Sequence, residues 1–493
     1  MKKIISLLLV LVMLISAFSL FSCSNDEEEK TPVQNNNNSN GQGNAAIMEG
    51  DIFAERAAVD DELPEADYNG REFRVVGYSL GEYYVAEEDR NQGDLIKDAK
   101  HKRNTLVEER YDVKITPTYW GTYMEVNDWV SKSILSGVDE FDLLINQSVD
   151  SGALVLKNIF LNWYDIPYVD FTKPWWAKST SEDLSYDGKC ILAVSDLNTQ
   201  AIGCTKIMVF NKNLANAYDL GNIYDVVFEG GWTYDYFYEL IKDIYRDDDG
   251  SGDRSIGDFY GFATGLYTIN DFLYGFDHPI VDKDDDGVPQ IVLKSDRINN
   301  IVSTMYDFCY NTTGAYYDPK EEYVNNFIEG KAIFGISSLG GLLGESMRNF
   351  EDEYGILPFP KWNESQKEYK TAVAGDLTVS AVPKTVKDTE FVGLITEALS
   401  AESYKHVTPT YYEIALKTRY LRDNESKKVL DILLDGRIYD FGYIYNGWKS
   451  MLADPISRLM RDGSSNFESY YQKGYPSSRL QYKAVLKAFD RLG

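Results

Sequence analysis

Phe141-Asp142-Leu143-Leu144-Ile145-Asn146 decides the fold. Its apolar residues run on without alternation, as in a strand buried on both faces of a parallel sheet. Upstream, Phe73-Arg74-Val75-Val76 alternates and predicts a first strand. Gly93 to Tyr111 predicts a helix with Leu95, Ala99, Leu106 and Val107 toward one face. Val113, Ile115 and Tyr119 predict a second strand, and Val126, Trp129, Val130 and Ile134 a second helix. This β-α-β-α-β order predicts a doubly wound α/β domain, whose ligands sit beyond the carboxyl ends of the strands. Gly77-Tyr78-Ser79 and Asn146-Gln147-Ser148 then lie at the edge of a site.

Farther along, Ile191 to Val194 and Ile207 to Phe210 read as short strands. Trp232-Thr233 opens a helix striped by Phe237, Leu240, Ile241 and Ile244. Phe327 to Phe334 reads as a helix end, a turn and a strand. Ser426 to Leu434 and Ser478 to Leu492 read as amphipathic helices.

At the other end, Lys2 and Lys3 precede an apolar run from Ile4 to Phe21, then Ser22-Cys23-Ser24. A charged start, an apolar run and a small residue describe a secretory signal. A Cys just past the cut resembles the lipobox of bacterial lipoproteins, which makes residues 1–22 the signal peptide and Cys23 the lipidated N-terminus. An uncleaved anchor is the alternative. Two acyl chains suffice for stable attachment. Residues 23–66, with Glu27-Glu28-Glu29 and Asn35-Asn36-Asn37-Asn38, are too polar to bury a core and predict a flexible tether.

The 49 Lys and Arg against 78 Asp and Glu leave a formal charge of −29. Such a chain repels phosphate backbones, which excludes nucleic acid, and gains little from anionic membrane surfaces. Beyond Cys23 only Cys190, Cys204 and Cys309 remain. They make no disulfide framework; Cys190 and Cys204 either pair or stay buried and free. Three His residues and no Cys-x-x-Cys give no indication of zinc or thiol chemistry. The 37 Tyr, 23 Phe and 8 Trp supply cores and also flat faces on which sugars stack.

Asp247 to Asp258 reads as a twelve-residue calcium loop. Asp247, Asp249 and Ser251 offer side-chain oxygens, Asp253 its carbonyl, and Asp258 closes the loop. A solvated acidic turn is the alternative, and any calcium there is structural. Asp282-Lys283-Asp284-Asp285-Asp286-Gly287 reads as a turn between strands. Gly77-Tyr78-Ser79-Leu80-Gly81 matches the G-x-S-x-G elbow of hydrolases but lacks the strands that must precede it. With 78 acids a glycosidase-like pair can always be found, so finding one carries no weight.

The order of landmarks resembles the extracellular solute-binding proteins of carbohydrate ABC importers. It is carried by Asp94-Leu95-Ile96-Lys97-Asp98-Ala99, Asp170 to Trp176, Val209-Phe210-Asn211-Lys212, Gly231-Trp232-Thr233, Phe327 with Gly330-Lys331-Ala332, and Leu357-Pro358-Phe359-Pro360. The resemblance implies a two-lobed, periplasmic-binding-protein-like α/β fold with a hinge and an interlobe cleft. Lobe one would be 67–200 plus 358–415, and lobe two 201–357 plus 416–493. It implies a binding protein rather than an enzyme, with a sugar as ligand, which the chain's negative charge narrows to a neutral oligosaccharide, no obligatory cofactor, an ABC permease as partner and a monomeric state outside the membrane. A surface lipoprotein that binds glycan or peptide without transport is the alternative. By position, Tyr78, Ser79, Gln147, Ser148 and Asp376 face the cleft from lobe one, and Tyr267, Asn270, Asp271, Ser337 and Trp448 from lobe two. Trp448 either stacks on ligand or packs in the core.

Overall fold

Strands β1 (Arg71–Gly77), β2 (Val113–Tyr119), β3 (Leu143–Gln147) and β13 (Thr378–Ala381) form a four-stranded sheet in the order β13-β3-β1-β2. The three strands read from the sequence are parallel, with β1 between β2 and β3, and β13 joins β3 antiparallel. The computed structural model describes residues 54–78, 80–85, 94–119, 121–177, 182–321, 324–411, 423–446 and 451–492. All of them belong to one unit, Glu49–Gly493. The signal peptide, Cys23, Ser79 and Trp448 lie outside the described residues.

Helix α1 (Leu95–Tyr111) starts where Asp94 accepts from the Ile96 and Lys97 amides, and ends at left-handed Asp112. Its inward face differs from the expected apolar stripe. Lys100, Arg103, Asn104, Val107 and Tyr111 are buried, while Leu95 is exposed. The polar members are tolerated because they are bonded: Lys100 donates to the Gly81 carbonyl, Asn104 to the Tyr83 carbonyl, and Arg103 to Asn104 and Ser403. Helix α2 (Tyr123–Ser136), capped by Thr122, buries Val126, Val130 and Ile134 as expected. Helix α3 (Ser148–Val155) follows β3 directly.

The second sheet is six-stranded. It runs β11 (Tyr354–Leu357), β4 (Lys206–Asn211), β10 (Ala332–Ser338), β6 (Phe259–Gly265), β5 (Tyr245–Arg246), with β9 (Ala315–Asp318) also on β6. Helix α4 (Tyr234–Ile241), capped by Thr233, packs Phe237 and Ile241 beneath it, and Trp232 is fully buried. Beside it lie α5 (Asp271–Gly275) and α6 (Asp296–Asn311). The Asp282–Gly287 stretch joins β7 (Val281–Lys283) to β8 (Pro289–Ile291) as the expected hairpin. A separate parallel pair is formed by β12 (Thr371–Ala372) and β14 (Arg437–Ile438).

Several expectations shift. Ile191–Val194 is no strand; on the free edge of β13, Ala193 alone bridges Ser380, too short a pairing to extend the sheet. The chain does not return to the first sheet at 358. Pro358 accepts from the buried Trp232 indole and Lys361 pairs with Thr233, which holds 358–361 against the second sheet until β12. The tether ends before 66: Asp61 is buried in an ion pair with Arg110, and Val59 and Leu63 pack on the first core. The last helix, α11 (Phe467–Asp490), begins well before Ser478 and carries Pro476 inside it. Cys190, Cys204 and Cys309 are free and buried.

Helix α7 (Thr389–Glu402) covers the first sheet. Its Glu397, 1% exposed, accepts the indole N–H of Trp175 at 2.7 Å and of Trp176 at 2.8 Å. Between α7 and α11 come α8 (Asn424–Asp435), α9 (Phe441–Asn446) and α10 (Pro455–Arg461). Helix α9 crosses α3 at Gly152, where an added Cβ would stand 2.0 Å from the Ile444 carbonyl oxygen. Gly152→Ala must therefore push α3 and α9 apart. Urea denaturation should show a loss of at least about 1–3 kcal/mol, the usual cost of overpacking; an unchanged midpoint would mean the two backbones do not meet there.

Candidate functional site

The sheets approach one another where chain segments 203–206, 338–340 and 371–376 meet. Thr205 bridges Val373, the Ala374 amide donates to the Cys204 carbonyl, and the Gly340 amide to the Gly203 carbonyl. A cavity of about 420 Å3 opens over this crossing, lined by Gln200, Lys206, Ser338, Gly340, Asp376 and Lys100 among others. Ala374 is shared with a second, small cavity of about 40 Å3, lined by Tyr267, Asp271, Tyr274, Tyr443, Asp454 and Ser457 among others. The larger also reaches Gly81, past β1, and the smaller reaches Tyr267, past β6.

Tyr78 stands half-buried at the end of β1. Its hydroxyl lies 3.4 Å from Gln200 Oε1 and from the Asp376 carbonyl, and its ring meets Tyr123 edge-on. Gln147 ends β3, and its Oε1 is buried without a hydrogen-bond partner among the described residues. Ser148 is fully buried, and its hydroxyl donates to the Gly375 carbonyl at 3.0 Å. It therefore shapes the 375–377 turn rather than offering a hydroxyl to a ligand. Asp376, at the tip of that turn, is exposed and lines the larger cavity.

From the second sheet, Tyr267 is 61% exposed, with its amide anchored on Glu321. Asn270 accepts from the Ile456 amide at 3.2 Å, which spends its oxygen on seating α10. Asp271 opens α5 and is 8% exposed, yet its Oδ2 has no hydrogen-bond partner among the described residues. Burial pushes this carboxyl up to about 7; Lys206 opposes the shift, while Glu321 and Asp376 add to it. The Tyr274 hydroxyl and Ser457 Oγ are likewise buried and unpartnered. Three orphan polar groups on one cavity wall are costly unless something completes them. Ser337 is half-buried with its hydroxyl turned to the Ser338 carbonyl, and Ser338 takes its place on the cavity wall.

Sequence reasoning missed Tyr274, Tyr443, Asp454, Ser457, Gln200 and Lys206. Asp454-Pro455 carried a usable signal, since proline at the first turn marks a helix start. A larger basin of about 690 Å3 around Arg297, Trp362 and Gln366 contains none of the expected residues, nor any of the unpartnered buried atoms.

In the acidic loop, carboxylate oxygens of Asp247, Asp249 and Asp258 lie within 4.8 Å of one another. Asp258 is fully buried and accepts from the Asp248 and Ser255 amides. Hydrogen bonds from Ser255 and Ser251 hold the exposed Asp249 down at about 2. Ser251 donates instead to the Asp253 carbonyl, so those two expected donors are bonded to each other. The loop joins antiparallel β5 and β6 rather than two helices.

No protein-family model and no curated protein matches this chain. Among solved structures, UgpB from Mycobacterium tuberculosis in complex with glycerophosphocholine is 14% identical, with a TM-score of 0.56 over 85% of this chain and 98% of that one. The galacto-N-biose-/lacto-N-biose I-binding protein of the ABC transporter from Bifidobacterium longum, in complex with lacto-N-biose, is 13% identical, with a TM-score of 0.57 over 85% and 98%. The maltose/maltodextrin-binding domain MalE from Bdellovibrio bacteriovorus, bound to maltotriose, is 14% identical, with a TM-score of 0.53 over 84% and 100%. The chain thus has the two-lobed α/β fold of periplasmic binding proteins. No helix among the described residues is long and apolar enough to cross a membrane.

Asp271 sets a pH signature on stability. Its folded-state affinity for a proton exceeds the unfolded one, so its contribution is full in acid and is lost as pH rises toward and past about 7. Asp271→Asn removes that loss. The melting temperature of the variant relative to wild type should climb between pH 4 and pH 8; a difference constant across that range would mean the carboxyl is not held protonated by burial.

Proposed function

We propose that the chain is a membrane-anchored extracellular or periplasmic binding protein that captures a carbohydrate between its two lobes and delivers it to an ABC permease. The carrying observation is the cavity wall of Asp271, Tyr274 and Ser457, whose buried polar atoms lack partners, beside a larger cavity lined from both sheets. Sugars match such a wall because each hydroxyl both donates and accepts, and the tyrosines around it provide flat faces. Structural neighbours in complex with maltotriose and lacto-N-biose support the ligand class. Asp271 and Asp454 disfavour an anionic group in the small cavity, while Lys100 and Lys206 join Asp376 around the larger one.

In this reading lobe one is about 67–200 plus 378–411 and lobe two about 206–370 plus the last helices, with the crossings at 203–206 and 371–376 as hinge. Ligand groups that bridge the lobes drive closure, because contacts to one lobe alone cannot favour the closed state. Tyr78, Gln147 and Asp376 contact ligand from one side and Tyr267 and Asp271 from the other, with Trp448 as a stacking ring. No residue here acts as a catalyst, the protein works as a monomer, and Cys23 carries the lipid. Asp247, Asp249 and Asp258 hold a structural calcium, which hard carboxylate oxygens suit.

Two measurements check this. In a thermal-shift panel of neutral oligosaccharides, at least one should raise the melting temperature with a concentration dependence that fits one site; no shift from any sugar would contradict the assignment. Separately, a calcium chelator should lower the melting temperature of the untreated protein and added calcium should restore it; an unchanged melting curve would leave the acidic loop a solvated turn.

A further inference from the structure

The small cavity differs in character from the larger one beside it. On the scale where roughly 10–15 Å3 holds one water, its volume of about 40 Å3 admits one small polar group and not a sugar ring. Its wall carries two carboxylates, Asp271 and Asp454, and three tyrosine rings, Tyr267, Tyr274 and Tyr443. Asp454 is paired with Arg458 behind it, but Asp271 Oδ2 has no partner among the described residues. The charged groups that act on Asp271 are Lys206, which favours its ionised form, and Glu321 and Asp376, which oppose it. Two negative groups and one positive group thus act on the buried carboxyl, whose proton burial itself chiefly retains.

We propose that this cavity takes a protonated amine, so that the captured carbohydrate is an amino sugar whose ammonium group pairs with Asp271 among the rings of Tyr267, Tyr274 and Tyr443. This rests on the carbohydrate reading above and replaces its neutral-sugar expectation with a cationic sugar. A sugar hydroxyl can donate to Asp271 Oδ2, but it leaves the desolvated charge uncompensated. An ammonium group supplies both the donor and the opposite charge, and a buried carboxylate is stable only when paired. Tyrosine faces attract the same cation through their ring quadrupoles. Pairing requires ionised Asp271, and burial holds the empty pocket's carboxyl protonated below about 7. Affinity for an amine, which stays protonated in acid, must then fall as pH is lowered from 7 to 5.

Calorimetric titration of the full chain with matched pairs tests this: glucose against glucosamine, galactose against galactosamine, cellobiose against the chitosan disaccharide. At pH 7 at least one amine should bind tenfold or more tighter than its hydroxyl counterpart, and the preference should shrink at pH 5. Asp271→Asn should abolish the preference. Tyr267→Leu, at an exposed position where folding is little affected, should reduce it at least threefold, and this variant decides the matter if Asp271→Asn does not fold. Hydroxyl sugars binding as tightly as their amine counterparts throughout would overturn the amine and leave the carbohydrate reading standing. A preference that survives in folded Asp271→Asn would also overturn it. No binding by any member would overturn both readings.

Discussion

Backbone hydrogen bonds tie the two sheets together where the chain crosses between them. Thr205 bridges Val373, the Leu339 amide donates to the Thr205 carbonyl, and the Gly340 and Ala374 amides donate to the Gly203 and Cys204 carbonyls. Three chain segments thus satisfy one another's polar groups where they cross, which is what permits an irregular stretch to be buried at all. Both candidate cavities are arranged around that crossing. It sets the floor of the larger cavity, fixes Ala374 between the two cavities, and aims the 375–377 turn at Tyr78. It also leaves the few residues on either side as the place where modest dihedral changes could open or close the molecule.

Against this frame, the treatment of buried charge separates structure from site. Glu397 meets two indole N–H groups, Asp61 meets Arg110 and Lys405, and Asp440 accepts from the Ile280 and Tyr443 amides. Arg103 is fully buried and bonded to Asn104 and Ser403. Each is a polar group bonded within the fold. Asp271 is 8% exposed, and its second oxygen has no hydrogen-bond partner among the described residues. Of these buried charges, Asp271 alone keeps an oxygen without a partner, which suits the ligand contact proposed for it.

Much of the first sheet was legible because its strands obey simple periodicity. The unbroken run at Leu143–Ile145 reflects burial on two faces; in β1, Phe73 and Val75 face one core and Val76 the other, with only Arg74 breaking the apolar pattern. Helix α1 was legible in length and caps but not in facing, because Lys100, Arg103 and Asn104 are buried by partners from other elements that no local pattern encodes. Tyr267 and Asp271 could be picked from position alone, since they follow the end of β6. Tyr274, Tyr443, Asp454 and Ser457 belong to the same wall but come from three helical segments, brought together only by packing such as the close pass at Gly152. The return to the first sheet was misjudged at Leu357-Pro358 because the Trp232 indole and Thr233 capture that stretch first.

Amide hydrogen exchange, followed by mass spectrometry with and without the sugar that most stabilises the protein, tests the central claim most directly. The account predicts that ligand slows exchange in 267–275 and 371–377 together, because both sides of the crossing close on it. Protection confined to the basin at 362–370, or to one side of the crossing alone, would contradict it.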